Sequence, residues 1–300
     1  MPPGSLFVVA TPIGNLEDVT LRALRTLGEV DLIAAEDTRR TSKLLARYEI
    51  RKPLVSLHEH NEHRESARLV AKLQAGQSIA LVSDAGTPGV SDPGALLVRA
   101  ARDAGLTVVP VPGPSAVAAA LSVSGIDLTE FAFMGFPPRT GAAREDWMNR
   151  LRDDPRPVVF FEAPHRIERT LTELSILLGK RPIQVNSEIT KIHEYFGFYH
   201  NSAEVEPASR LGEYTVVVEP DQAVNERFDE RRCFDVFCRL AEVSGFTEDE
   251  AFLMTAALMG TSMASVRKTV KKARISIKRN APPPNSSSPS SPGRPPLDRP

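Results

Sequence analysis

The sequence predicts an α/β fold, two α/β domains followed by a small helical region, and three observations carry the prediction. Short apolar runs rich in Val, Ile and Phe recur through the first 220 residues. Helical-period stretches lie between most of them. The runs also end asymmetrically, on polar residues followed by Gly/Pro loops. Strands that read as continuous apolar runs are buried on both faces, and alternating them with helices gives largely parallel sheets.

The strand candidates are Leu6–Ala10, Val30–Ala35, Ser78–Val82, Leu106–Val111, Phe131–Phe136, Pro157–Phe161, Ile183–Val185 and Tyr214–Val218. The helix candidates are Val19–Leu27, Ser42–Tyr48, Glu62–Ala75, Ala95–Ala104, Ser115–Ser122 and Ile167–Leu178. They divide into an N-terminal α/β domain, 1–117, and a second α/β domain, 118–222. Residues 223–280 read as helices only. There Thr247-Glu248-Asp249-Glu250 forms a capping box with Phe246 as its staple. The tail 281–300 is mostly Pro and Ser. It cannot bury enough apolar surface to offset chain entropy, so it reads as disordered.

Charge and cysteine usage narrow the class. Formal net charge is −1, so any nucleic-acid affinity must come from a local patch. The two cysteines, Cys233 and Cys238, read as free thiols in a reducing compartment. The N-terminus lacks a positive n-region, and its apolar run is too short for a signal peptide. No run approaches the roughly 18 apolar residues a membrane span needs. The expectation is a cytoplasmic protein with no membrane association.

In open α/β sheets ligands bind beyond the carboxyl ends of the strands. Four loops there have special backbone chemistry: Ala10 to Asn15, Glu36 to Arg39, Ser83 to Gly94, and Val111 to Ser115. The third is dense in small residues, which let a ligand approach the backbone and free N–H groups to bind it. Ser83 to Thr87 is read as its binding part. Asp92-Pro93-Gly94 reads more simply as the opening of the next helix, Asp92 at the N-cap and Pro93 at N1. Neither a G-x-x-x-x-G-K-[ST] nor a G-x-G-x-x-G loop occurs, so the pattern suits a cofactor without a pyrophosphate.

Six motifs in order, Thr11-Pro-Ile-Gly-Asn-Leu, Glu36-Asp-Thr-Arg, Ser83-Asp-Ala-Gly-Thr-Pro, Asp92-Pro-Gly, Val111-Pro-Gly-Pro-Ser-Ala and Phe161-Glu-Ala-Pro-His-Arg, resemble the tetrapyrrole-methylase superfamily. Within it they are most similar to the ribosomal branch, which methylates the ribose 2′-oxygen of a small-subunit rRNA cytidine. The likeness covers about residues 5 to 220. It implies two α/β domains of the tetrapyrrole-methylase type, S-adenosylmethionine as methyl donor, and a homodimer acting on small-subunit rRNA or the assembled small subunit. It implies donor contacts at Pro12 and Ile13, at Asp84, Ala85, Gly86 and Thr87, at Ser115 and Ala116, and at Phe161. The family segment Arg-Glu-Leu-Thr-Lys stands here as Ser187-Glu-Ile-Thr-Lys191, a departure that bears on substrate positioning rather than donor binding.

A ribose hydroxyl is a weak nucleophile and needs a proton acceptor. Glu36, Asp37, Glu59 and Glu188 are the carboxylates in or near strand-end loops, and sequence does not choose among them. Arg39 and Arg166 can either hold phosphates bidentately or pair with nearby acids. His58-Glu59-His60-Asn61-Glu62-His63 has zinc-like spacing, but it crosses from a strand end into a helix with Asn61 as a cap. The expectation is no metal, with Asn61 and Glu62 near the substrate cleft. The run Val266 to Arg279 carries seven Lys/Arg and no acid, so Arg267, Lys268, Lys271 and Lys272 are candidates for RNA-backbone contact. Arg144, Arg150, Arg152 and Arg156 form a second basic stretch, diluted by four acids. The alternatives are a tetrapyrrole C-methyltransferase on the same fold, a non-catalytic RNA-binding relic, and metal-dependent hydrolysis through the histidine run.

Overall fold

The computed structural model describes residues 2–126, 128–205, 212–220, 230–242, 247–259 and 261–280. The chain divides into two compact units, 1–221 and 222–300.

The first unit opens with a five-stranded, wholly parallel sheet. Its strands are β1 (Ser5–Val9), β2 (Leu32–Ala35), β3 (Leu54–Ser56), β4 (Ile79–Val82) and β5 (Thr107–Val111), in the order β3-β2-β4-β1-β5. Both faces are covered. Ile79 and Leu81 of β4 pack with Leu69, Leu73 and Leu97, while Ala80 and Val82 pack with Leu27 and Leu45. The covering helices are α1 (Leu21–Glu29), α2 (Thr38–Arg47), α3 (Glu62–Gln74) and α4 (Ala95–Asp103). Burial on both faces is why the interior strands β2 and β4 read as unbroken apolar runs.

The second sheet departs from the expected parallel arrangement. It is built from β6 (Ala132–Phe133), β7 (Val158–Glu162), β8 (Ile183–Ser187), β9 (Tyr195–Tyr199) and β10 (Tyr214–Val218), in the order β6-β7-β10-β8-β9. Only β6 and β7 pair in parallel; the other three pairings are antiparallel. The alternation of strand and helix holds through β7 and β8, but β10 inserts between them and reverses both ladders. Ser187 is buried in that sheet in register with Tyr195 and Tyr214.

Helix α5 (Ala116–Ser122) leaves the first sheet and packs on the second, with Val117, Ala120 and Leu121 against Val159 and Val217. The opposite face is covered by α6 (Ala142–Asp153) and α7 (Ile167–Leu178) around Trp147, Phe160 and Leu174. The second basic stretch falls on and just after α6 and is neutralised. Arg144 is buried against Glu173 and Thr170, and Arg150, Arg152 and Arg156 pair with Asp146, Asp153 and Asp154.

The second unit contains α8 (Glu230–Ala241), α9 (Glu248–Leu258) and α10 (Met263–Asn280), packed around Phe237, Phe252, Val266 and Val270. Thr247 and Glu250 form the capping box. Neither Cys233 nor Cys238 is in a disulfide. Phe246 and the tail 281–300 lie outside the described residues. Among the described residues no helix is long and apolar enough to cross a membrane.

One cap is supplied from a distance. Helix α4 begins at Ala95 with Gly94 at the N-cap, so Asp92 does not cap it. Instead the buried carboxylate of Glu62, on α3, accepts from the N–H groups of Gly94 at 2.8 Å and Leu96 at 2.9 Å. Glu62 is therefore a structural brace rather than a cleft residue. Truncating it leaves two donors unpaired. Glu62→Ala is expected to lower stability by about 1–3 kcal/mol, and Glu62→Gln by less, because its amide oxygen still accepts. Urea unfolding followed by Trp147 fluorescence checks both values.

Candidate active site

The loops after β1 and β4 are tied together before any ligand is considered. Thr11 and Gly86 form an isolated antiparallel bridge, Thr11 N–H to Gly86 O at 2.8 Å and Gly86 N–H to Thr11 O at 3.0 Å. The Thr11 hydroxyl adds a bond to Ser83 O at 3.2 Å. Gly86 sits at φ +78°, where an L side chain is strained, and a Cβ there would face Ile13.

The loops after β2 and β4 exchange a reciprocal pair of bonds. Asp84 N–H donates to Glu36 at 3.2 Å, and Asp37 N–H donates to Asp84 at 2.9 Å. The second oxygen of Asp84 faces the Arg40 guanidinium at 3.3 Å. On the other side, the first loop presses against the β8–β9 connection. A Cβ on Gly14 would lie 2.5 Å from Lys191 Cγ and 2.9 Å from Ile189 O, so only glycine fits. The Asn15 N–H also donates to the Thr190 hydroxyl at 3.0 Å.

These contacts enclose a cleft of about 330 Å³. Ile13, Asp84, Ala85, Gly86, Thr87, Ser115, Ala116 and Phe161 all line it. Pro12 lines the cavity that adjoins it. Phe161, at the end of β7, is held by Phe133 and Phe136 at ring separations of 5.0 and 5.5 Å. Ser115 caps α5, accepting from Ala118 N–H. Arg40, Asp92, Lys191 and Glu213 also line the cleft, and none was a site candidate from sequence. Three non-glycine residues with positive φ gather at or beside it: Ser91 at 62°, Glu188 at 52° and Thr190 at 68°. Such backbone strain persists where the surroundings over-determine it, commonly at functional sites.

The cleft is acidic. Glu36, Asp84, Asp92, Glu188 and Glu213 face two cations, Arg40 and Lys191. Burial is the main cause of a raised pKa at Glu36, and Asp84 and Glu213 add to it. Asp92 is pushed up to about 7, first by burial and then by the charge of Glu36. A hydrogen bond with the Ser83 hydroxyl pulls the other way.

The remaining candidates are placed as follows. Glu36 and Glu188 line the cleft, and Glu188 pairs with Lys191 at 2.8 Å. Asp37 is the N-cap of α2 and accepts from Arg39 N–H at 2.8 Å, which lowers its pKa. Arg39 is exposed and pairs with Asp37. Glu59 is exposed and does not line the cleft. Arg166 pairs with the buried carboxylate of Glu162 and donates to Pro137 O at 3.1 Å, so it braces the fold. Asn61 holds its own turn, accepting from His58 N–H at 2.9 Å and donating to Ser56 O at 3.0 Å. Among the described residues no three His, Cys, Asp or Glu side chains converge as metal ligands.

In the helical unit, Arg267 pairs with Asp249 at 2.7 Å and lies over the Phe252 ring. It serves the packing of α9 and α10. Lys268, Lys271 and Lys272 are exposed on α10.

A parallel sheet whose strand-end loops meet a second, mixed sheet is a fold shared with solved methyltransferases. Residues 5–197 match the family described as Tetrapyrrole (Corrin/Porphyrin) Methylases, and the chain belongs to it. Ribosomal RNA small subunit methyltransferase I of Xylella fastidiosa is 53% identical over 193 residues, covering 64% of this chain and 71% of that protein. The protein of the same name from Halalkalibacterium halodurans is 45% identical over 219 residues, covering 72% and 76%. Among solved structures, a uroporphyrin-III-C-methyltransferase from Thermus thermophilus matches at 22% identity and a TM-score of 0.51, over 71% of this chain and 94% of that one. A diphthine synthase matches at 16% and 0.56, over 72% and 90%. These two likenesses are of fold.

The acidic cleft makes a prediction about stability. Asp92's folded pKa lies above its unfolded value, so the native state binds the extra proton between about pH 4 and 7. Stability contributed by Asp92 is thus present at low pH and lost as pH rises through 7. Asp92→Asn is expected to melt higher than wild type at pH 8, by roughly 2–4 °C for every kcal/mol released, and no higher at pH 4. Calorimetric melting across that range checks it.

Proposed function

We propose that this chain transfers the methyl group of S-adenosylmethionine to the ribose 2′-oxygen of a cytidine in small-subunit rRNA. One observation carries the reading: the strand-end loops of the family motifs meet at a single cleft in which five carboxylates face two cations. Such a site favours a cationic ligand over a nucleoside phosphate. Ile13, Phe136 and Phe161 add apolar surface for a flat ring, and the glycine-bearing loop 83–87 offers close backbone approach. The residues therefore fit the donor. The relatives at 45–53% identity are named for small-subunit rRNA, which supports RNA over a tetrapyrrole as acceptor.

S-adenosylmethionine, when bound, supplies a methyl group already activated on a sulfonium. What the chain must add is alignment and a proton acceptor. Alignment comes from loops fixed by the Thr11–Gly86 bridge and the Glu36–Asp84 exchange. Asp92 is the proton acceptor: it lines the same cleft, and with its pKa pushed up to about 7 roughly half of it is ionised at neutral pH while the carboxylate is basic enough to take a proton. It takes the hydroxyl proton as the 2′-oxygen attacks. Lys268 and Lys271, exposed on α10, contact RNA backbone. The reading carries with it a cytoplasmic homodimer and an organisation of two α/β domains, 1–117 and 118–222, followed by an RNA-contact region, 223–280.

Mapping ribose methylation on rRNA from cells with and without this protein tests the reading. One methylated cytidine should disappear from the small subunit and return with the wild-type chain. Identical maps sink it. With purified protein, Asp92→Asn should lower the methyl-transfer rate about 10²- to 10⁴-fold while calorimetry still detects donor binding.

A further inference from the structure

The donor cleft opens into a second cavity of about 590 Å³, and the two are built differently. They share Ile13, Arg40, Asp84, Ala85, Lys191 and Glu213. Beyond that shared wall, the second cavity has apolar sides from Pro12, Leu16, Leu44 and Pro164. Its rim is cationic, with Arg40 and Lys43 from α2 and Lys191 from the β8–β9 connection against Asp84 and Glu213. The balance of charge therefore reverses from one cavity to the next.

The cations are held but reachable. Arg40 and Lys43 lie three residues apart on α2 and share a face. The Arg40 side chain stays 63% exposed while paired with Asp84, and Lys43 is exposed. The apolar wall is fixed in place, because the Tyr48 hydroxyl donates to Leu16 O at 2.6 Å and Asn15 is tied to Thr190.

We infer that this second cavity is the acceptor-nucleotide subsite, in which Arg40, Lys43 and Lys191 hold the phosphodiesters flanking the methylated ribose. The inference rests on the methyltransferase reading and deepens it. A phosphodiester is repelled by the five carboxylates of the donor cleft and must settle outside it. The nearest space offers cations at the rim for phosphate and apolar walls for the sugar and base. A ribose seated against the shared wall then lies between its phosphates and the donor cleft. A nucleotide and a cationic donor are thereby sorted into adjacent spaces by charge.

Lys43 lines only the second cavity, so it separates the two functions. The probe is the unmethylated small ribosomal subunit, with binding and methyl transfer measured over a range of salt concentrations. Lys43→Ala should raise KM for the subunit about tenfold, and should reduce the slope of log affinity against log salt by about 0.7–0.9. Lys43→Arg should restore both. Calorimetric donor affinity should not change. A purely structural role for Lys43 would not move the salt slope. If the wild type methylates subunits while Lys43→Ala and Lys43→Ala/Lys191→Ala keep its KM and salt slope, the subsite is wrong and the methyltransferase reading stands. If the wild type binds donor but methylates no subunit, both fall.

Discussion

The antiparallel bridge between Thr11 and Gly86 is the contact on which the site depends. Ordering a loop costs about 1–2 kcal/mol per residue, and a strand-end loop has no ladder of its own to offset that. Here β1 and β4 are neighbours in the middle of a parallel sheet, so their loops emerge side by side at the carboxyl edge. Two backbone bonds then satisfy both loops at once, and the Thr11 hydroxyl reaches Ser83 to add a third. With the β4 loop fixed, Asp84 is positioned to exchange hydrogen bonds with the β2 loop. The same first loop, narrowed by Gly14, closes against Ile189 and Lys191 of the β8–β9 connection. The cleft is thus assembled from backbone N–H groups that bond to backbone carbonyls or to the side chains of Glu36, Asp84 and Thr190.

What sequence revealed and what it concealed follow from the range of the interactions. Four of the five strands of the first sheet were legible as apolar runs, and the short, half-buried edge strand β3 was not. The order of the second sheet was not, because β10 joins β7 and β8 from far along the chain and no local pattern records the insertion. Asp92 shows the same limit in one residue. Asp-Pro-Gly is a strong local signal for a helix start, yet the cap came from Glu62 on another helix. Asp92 was thereby left facing the cleft. The pairing of Arg166 with Glu162 was readable in principle, since the two stand four residues apart. The donor loops were found through motifs, whereas Arg40, Lys191 and Glu213 belong to the site only through tertiary placement.

The basic run near the C-terminus separates by residue type once it is folded. Arg267 and Arg274 each combine an acid with an aromatic face: Asp249 and Phe252 for the first, Glu248 and Phe237 for the second. A planar guanidinium suits that double contact better than an ammonium does. The exposed ion pairs add little stability by themselves, but they tie the arginines to acids of their own unit. Lys268 and Lys271 stand exposed on α10.

A net charge of −1 therefore conceals strong local segregation. Carboxylates crowd one cleft, and cations rim its neighbour. Burial first, and the neighbouring carboxylates after it, raise the pKa values of Glu36 and Asp92, so holding these acids here is costly to the fold. Nothing in the packing of the cores requires it. Ser91 and Glu188 bring backbone strain to the same place. When unfavourable charge and unfavourable backbone conformation coincide at one cleft, a cationic ligand relieves the first and explains the second. The carboxylates are then a site built to be completed by its occupant, which is why the acidic space and not the larger adjoining one is assigned to the donor.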